Sequence, residues 1–185
     1  MHILLLVPAA AAAAFLAAAP ASAQGVRAEI HGGWDRVSGG GHDDGIVYGV
    51  GLGYDHAIGR KLTLGIEANA DESSVKECQS AGTVRACAKA GRDLSVAARL
   101  GHKVSETGTL YALAGYTNAR VTGSLIAGIV PTATRFSDTL DGVRVGVGYE
   151  QAISGKLYAK AEYRYSNYEG GTERHQLLTG IGVRF

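Results

Sequence analysis

The chain has 185 residues, with 18 Lys and Arg against 17 Asp and Glu, and 27 glycines. Basic residues are scattered among carboxylates, with no basic run, which argues against a nucleic-acid partner. Cys78 and Cys87 have no further Cys or His beside them to complete a zinc site, and in an exported protein their polar setting reads as a small disulfide-closed loop.

The chain opens Met1-His2 and then runs from Ile3 to Ala23 without a charge, ending Pro20-Ala-Ser-Ala23. An apolar segment followed by a helix breaker and an Ala-x-Ala site predicts a cleaved export signal over residues 1–23, although no Lys or Arg precedes it. A retained membrane anchor is the alternative, because the run is long enough to span a bilayer. Residues 24–185 are then one domain, with no second apolar span of helix length.

From Val26 onward the residues alternate with period two, the signature of strands with two unlike faces. Val26, Ala28, Ile30, Gly32 and Trp34 share one face, and Arg27, Glu29, His31, Gly33 and Asp35 the other. Ile46 to Tyr54 sets Ile46, Tyr48, Val50, Leu52 and Tyr54 against Gly49, Gly51, Gly53 and Asp55. Leu62 to Asn69 and Asp93 to Leu100 repeat the pattern, with Glu67 and Arg99 on their polar faces. So do Gly142 to Glu150, Leu157 to Ser166 and Gln176 to Phe185.

Leu110 to Val121 is the eighth strand, and there polarity and repetition disagree. Polarity alone turns Tyr116, Asn118 and Arg120 inward. The phrase Gly148-Tyr-Glu-Gln-Ala-Ile-Ser-Gly-Lys-Leu157 recurs as Gly53-Tyr-Asp-His-Ala-Ile-Gly-Arg-Lys-Leu62 and, degraded, from Gly101 to Leu110. A spacing of about 48 residues marks a repeated supersecondary unit, here strand, short turn, strand. Aligning Leu110 onward with Leu157 onward turns Leu110, Ala112, Ala114 and Tyr116 outward and leaves Asn118 and Arg120 at the outer rim.

Short turns at the repeat phrases alternate with long links at Ser38–Gly45, Asp71–Arg92, Thr122–Leu140 and Asn167–Arg174. An even strand number with short turns at one end and long links at the other predicts an eight-stranded antiparallel up-and-down transmembrane barrel. Tyr54, Tyr149 and Phe185 then form one aromatic belt, and Trp34, Tyr48, Tyr116, Tyr163 and Tyr165 the other. The interior receives Arg27, Glu29, Asp55, Glu67, Asp93, Arg99, Arg144, Glu150, Lys160, Glu162, Arg164 and Arg184, six acids and six bases expected to pair and plug a bore of this size.

The phrases Gly-Tyr-Asp-His-Ala-Ile and Gly-Tyr-Glu-Gln-Ala-Ile, the run Glu162-Tyr-Arg-Tyr-Ser166 and the ending Gly180-Ile-Gly-Val-Arg-Phe185 resemble the small outer-membrane barrels of the opacity-type surface antigens and the barrel half of OmpA. The resemblance implies a bacterial outer-membrane location, a structural or adhesin-like surface role, and no cofactor. It implies that Phe185, with Val183, Ile181 and Leu177 at alternate positions, is read by the barrel-assembly machinery. The sequence stops at Phe185, so the periplasmic peptidoglycan-binding domain of full OmpA proteins is expected to be absent.

Other roles are weaker. A small pore would need an open bore. A lipid A deacylase would need a His two residues before Ser166, where Arg164 stands, so Ser166 lacks a base. His42, Asp43 and Asp44 lie in a Gly-rich loop that reads as solvated rather than metal-binding. Lys76, Arg85, Lys89 and Arg92 could meet lipopolysaccharide phosphates. Leu125 to Pro131 is too apolar for an idle loop: it either extends the strands above the bilayer or lets Ile126 and Ile129 contact a host or cell-surface ligand or a neighbouring barrel.

Overall fold

The computed structural model describes residues 25–39, 42–82, 84–127 and 132–185. The expected export signal at residues 1–23 lies outside them, as do Ile129 and the side chains of Arg85 and Ile126.

The alternating segments form nine antiparallel strands: β1 (Gly25–Ser38), β2 (His42–Ala57), β3 (Leu62–Ser73), β4 (Lys76–Ala81), β5 (Val84–Lys103), β6 (Gly108–Ala127), β7 (Thr132–Ser154), β8 (Leu157–Tyr168) and β9 (Thr172–Arg184). Their order is β3-β2-β1-β9-β8-β7-β6-β5-β4, and β3 also pairs with β5 from Leu62↔His102 to Asp71↔Asp93. That ladder closes eight strands into a ring and leaves β4 outside it. Closure removes the free edges, the condition for a sheet to sit in lipid.

Each repeat phrase runs from the end of one strand through a short turn into the next, at β2–β3, β5–β6 and β7–β8. In the β7–β8 turn Gly155 takes φ +53°, a left-handed conformation suited to glycine.

The side-chain distribution is inverted relative to a water-soluble protein. Leu52 is 61% exposed, Ile66 62% and Val143 65%, whereas Arg164 and Asp93 are 0% exposed. In β6 Leu110, Ala112, Ala114 and Tyr116 are exposed while Tyr111, Leu113 and Thr117 are buried, so the facing follows the repeat and not polarity. Asn118 and Arg120 continue the outward row at the rim, opposite Asp141 and Thr139.

Asp71–Arg92 departs furthest from the sequence-based expectation, being largely a hairpin of β4 and β5 set on top of the ring. Thr122–Leu140 is mostly the continuation of β6 and β7, the strand extension that is one reading of its apolar run. From Asn118 to Ala127, β6 alone extends about 30 Å at the usual rise per residue. Alternation persists there but inverts, with Asn118, Arg120, Thr122 and Ser124 outward and Ala119, Val121 and Gly123 on the other face, so the segment does not read as a lipid-facing strand in sequence. A register shift between Ala90 and Asp93 marks where β5 leaves the ring.

Gly148 sits where a Cβ would overlap the Tyr111 ring and stand 2.9 Å from the Ala161 carbonyl oxygen. Gly148→Val should therefore destabilise the barrel by about 1–3 kcal/mol through overpacking. The heat-modifiable folded fraction on a gel should fall for this variant and stay unchanged for Val147→Ile, which faces outward.

Candidate functional site

Two regions carry polar chemistry, the bore and the sheet above the outer rim. The bore is built because odd residues of β1, β3 and β5 and even residues of β7, β8 and β9 point inward, and many of them are charged.

At the periplasmic end Arg27 lies 3.2 Å from Glu29, 3.3 Å from Asp55 and 2.5 Å from Glu67. Arg99 lies 3.1 Å from Asp55 and 2.9 Å from Glu150, with its guanidinium 3.7 Å from the Tyr111 ring centroid. Arg184 binds Glu150. Below this layer a cavity of about 370 Å³ opens, lined by Lys103, Glu106, Thr109, Glu150, Tyr158 and Arg184.

In the middle Lys160 binds Glu29 and lies 3.3 Å from Glu162. Arg164 binds Glu162 and lies 3.1 Å from Asp71, which also holds His31 Nε2 at 2.7 Å. The Tyr111 hydroxyl donates to Glu162 at 2.5 Å, and that of Tyr158 donates to Glu29 at 2.8 Å.

At the outer end Asp93 accepts from Arg144 at 2.5 Å, Arg174 at 2.7 Å, Thr117 at 2.5 Å and Tyr168 at 2.9 Å. Arg174 also donates to both oxygens of Asp35 at 2.7 Å, and Ser73 donates to Asp35 at 2.5 Å. Asp35, Asp71 and Arg174 belong to this network but not to the twelve charges assigned to it from sequence. Asp35 stands on the polar face of its strand, a usable signal. Asp71 and Arg174 lie where the alternation was taken to have ended.

Outside the ring, Trp34, Tyr48, Tyr116, Tyr163 and the partly covered Tyr165 stand towards one end, and Tyr54, Tyr149 and Phe185 at the other. Leu177 and Ile181 are exposed on β9, and Val183 and Phe185 are half-buried. The Phe185 amide donates to the Val26 carbonyl at 2.9 Å.

Ser166 lies buried in the bore and accepts from Arg144 Nε at 2.8 Å. His175 is on the opposite face of the wall, bound to the Tyr163 hydroxyl at 2.7 Å, and His31 is held by Asp71. Asp44 is gripped by Arg36 at 2.8 and 3.0 Å, a contact that holds its carboxyl below the usual carboxylate range.

Above the rim, Cys78 and Cys87 are joined by a disulfide across β4 and β5. The register puts Lys76 opposite Lys89, followed by Thr122 and Ser137, and Cys87 beside Ser124 and Arg135. These residues continue the outward row of Tyr116, Asn118 and Arg120, so the lipid-facing side of the wall becomes a basic, hydroxyl-rich surface. The other face of this sheet carries Leu125 and Phe136, both exposed.

A closed antiparallel ring with an apolar exterior, aromatic girdles and an ion-paired interior defines a transmembrane β-barrel of the bacterial outer membrane. The family model described as outer membrane protein beta-barrel domain matches residues 3–185, and the chain belongs to that family. Among solved structures it resembles Ail, the attachment invasion locus protein of Yersinia pestis, at 17% identity and TM-score 0.61, covering 88% of this chain and 99% of that one. Neisserial surface protein A is similar at 15% identity and TM-score 0.57, over 86% and 97% of the two chains. The N-terminal barrel of Pseudomonas aeruginosa OprF is similar at 14% and 0.54, over 88% and 99%. No curated protein matches the sequence.

Asp93→Ala leaves Arg144 and Arg174 buried beside an uncompensated gap, so folding stability should fall by about 3–5 kcal/mol. The midpoint of urea unfolding in detergent micelles reads this directly. Arg36→Ala, which breaks a surface pair, should leave that midpoint where it was.

Proposed function

We propose that the protein is a surface-interaction protein whose barrel anchors a recognition sheet, and that the ligand class is a polyanionic saccharide. The observation that carries this reading is the outward face of the β4–β7 sheet. Lys76, Lys89, Arg120 and Arg135 share it with Thr122, Ser124 and Ser137, and Lys76 and Lys89 are direct cross-strand partners. Like charges placed opposite each other disfavour the hairpin, and an anion between them turns that repulsion into attraction. Ail was solved in complex with the heparin analogue sucrose octasulfate, which supports the same ligand class here. An envelope-supporting role is compatible with the same anchor, and so is assembly through Leu177, Ile181, Val183 and Phe185 after removal of residues 1–23.

A small pore is disfavoured by the ion-paired layers from Arg27 to Arg174 across the bore. Planar-bilayer recordings should show no large, stable, reproducible steps. A lipid A-modifying enzyme is disfavoured because Ser166 is paired with and hydrogen-bonded to Arg144 rather than a base.

The barrel in phosphatidylcholine nanodiscs should bind a sulfated polysaccharide with an affinity that falls as salt rises. Lys76→Ser, Lys89→Ser and Arg135→Ser together should weaken binding about tenfold, roughly 1.4 kcal/mol. Unchanged affinity in the triple variant would remove the reading.

A further inference from the structure

The outward residues of β3 change in size along the strand. Leu62, Leu64 and Ile66 occupy its lower half, and Ala68 and Ala70 its upper half, between Val50 and Leu52 on β2 and Leu94 and Val96 on β5. Small side chains between two rows of large ones leave a trough of about 520 Å³, completed by Tyr116 and Asn118 of β6. Tyr116 belongs to the outer girdle, so the trough lies at the depth of the outer leaflet.

Its upper end is polar and incompletely satisfied. Arg92 Nη2 donates to Asn118 Oδ1 at 3.2 Å, and Arg92 Nε is buried with no acceptor. Arg120, two residues beyond Asn118 on the same outward row, is exposed and makes no ion pair among the described residues. Two carboxylates stand nearby. Asp141 accepts from the Tyr116 hydroxyl and from Asn118, each at 2.5 Å, and Glu72 lies across the trough opposite Tyr48. Asp141 is thereby engaged, Glu72 stays exposed on the β3 side, and on the β5–β6 side Arg92 and Arg120 are the cationic groups left to meet an anionic ligand.

We infer that this trough is a docking site for one phosphorylated, multiply acylated glycolipid of the outer leaflet, a lipid A-type molecule. An acyl chain lies over Ala68 and Ala70, and a sugar phosphate meets Arg92 and Arg120. Guanidinium groups pair with phosphate oxygens in fork geometry, and such an oxygen supplies the acceptor that Arg92 Nε lacks. The chain fills a trough that straight apolar side chains leave unfilled, recovering dispersion contacts along its length. A zwitterionic phospholipid fits less well, because its ammonium would stand beside two guanidinium groups. The site rests on the outer-membrane location; it shares Arg120 with the lower edge of the saccharide-binding face but does not use that face's Lys76, Lys89 or Arg135.

Native mass spectrometry of the barrel released from nanodiscs of phosphatidylcholine and lipid A tests the assignment. The wild type should retain one lipid A, and Arg92→Gln with Arg120→Gln should reduce retention at least about tenfold. Ala70→Leu fills the trough without altering the charges and should reduce retention too, whereas Arg36→Gln elsewhere on the rim should not. Deacylated lipid A should fail to bind, which separates the glycolipid from a free sugar phosphate. Heat-modifiable migration confirms that each variant is folded. Lys76→Ser with Lys89→Ser and Arg135→Ser should retain lipid A normally, so loss of saccharide binding and loss of this site are distinguishable. Equal retention by the double arginine variant, or equal displacement of lipid A by phosphatidylethanolamine, would overturn the site.

Discussion

The ladder between β3 and β5 is the constraint on which the rest of the molecule depends. Without it the ring would present two rows of unpaired amides and carbonyls to hydrocarbon, where each costs several kcal/mol. Ten successive partner pairs, from Leu62↔His102 to Asp71↔Asp93, close it. Once the ring is closed, pleating assigns every side chain to lipid or bore, and a shift of one residue in any strand would exchange the two sets. The same ladder ends at Asp71 and Asp93, where β3 gives way and β4 becomes the new neighbour of β5. The boundary between membrane wall and protruding sheet is thus set by where one pairing stops.

Closure also creates a narrow bore that must be filled. Filling it with charge is costly because each ion leaves water, and attraction between partners offsets this only when the remaining hydrogen-bonding groups are satisfied. The two are reconciled by geometry. Gly51 leaves room for Glu29, whose Cγ would lie 2.8 Å from an added Cβ, and Gly53 does the same for Arg27 at 2.7 Å. Gly148 on β7 and Gly182 on β9 lie in the same way against the rings of Tyr111 and Tyr158. Tyr111, Tyr158 and Tyr168 lend hydroxyls to Glu162, Glu29 and Asp93. The network is better understood as fixing the shape of the wall than as a net source of stability.

Most of the ring was legible in the sequence because lipid and bore impose opposite chemistry on alternate residues, and the repeated turn phrase fixed the phase where β6 was ambiguous. What was not legible lies where that opposition fades. Beyond Asp71 on β3 and Ala90 on β5 both faces meet water, so period two no longer separates apolar from polar, and the β4–β5 hairpin read as a link. Arg174 lay in a stretch taken for loop for the same reason. The alternation turned Tyr111 and Tyr158 inward, in phase with Leu113 and with Lys160 and Glu162, while Tyr168 lay in the stretch taken for loop. What the phase did not show is which carboxylate each hydroxyl meets, because Glu162 and Glu29 stand on other strands.

One face of β6 passes through two solvents without changing its pairing. Leu110, Ala112 and Ala114 meet lipid, Tyr116 marks the interface, and Asn118, Arg120, Thr122 and Ser124 follow on the same side. The polar segment needs no separate scaffold, because the register that positions Ala114 opposite Val145 continues to Ser124 opposite Arg135. Rigidity below is therefore transmitted to recognition above through one unbroken ladder, and the disulfide between Cys78 and Cys87 ties in the strand that the ring leaves out. A surface held in this way loses little conformational freedom on binding, which favours a preorganised basic face over a loop that must order itself around each ligand.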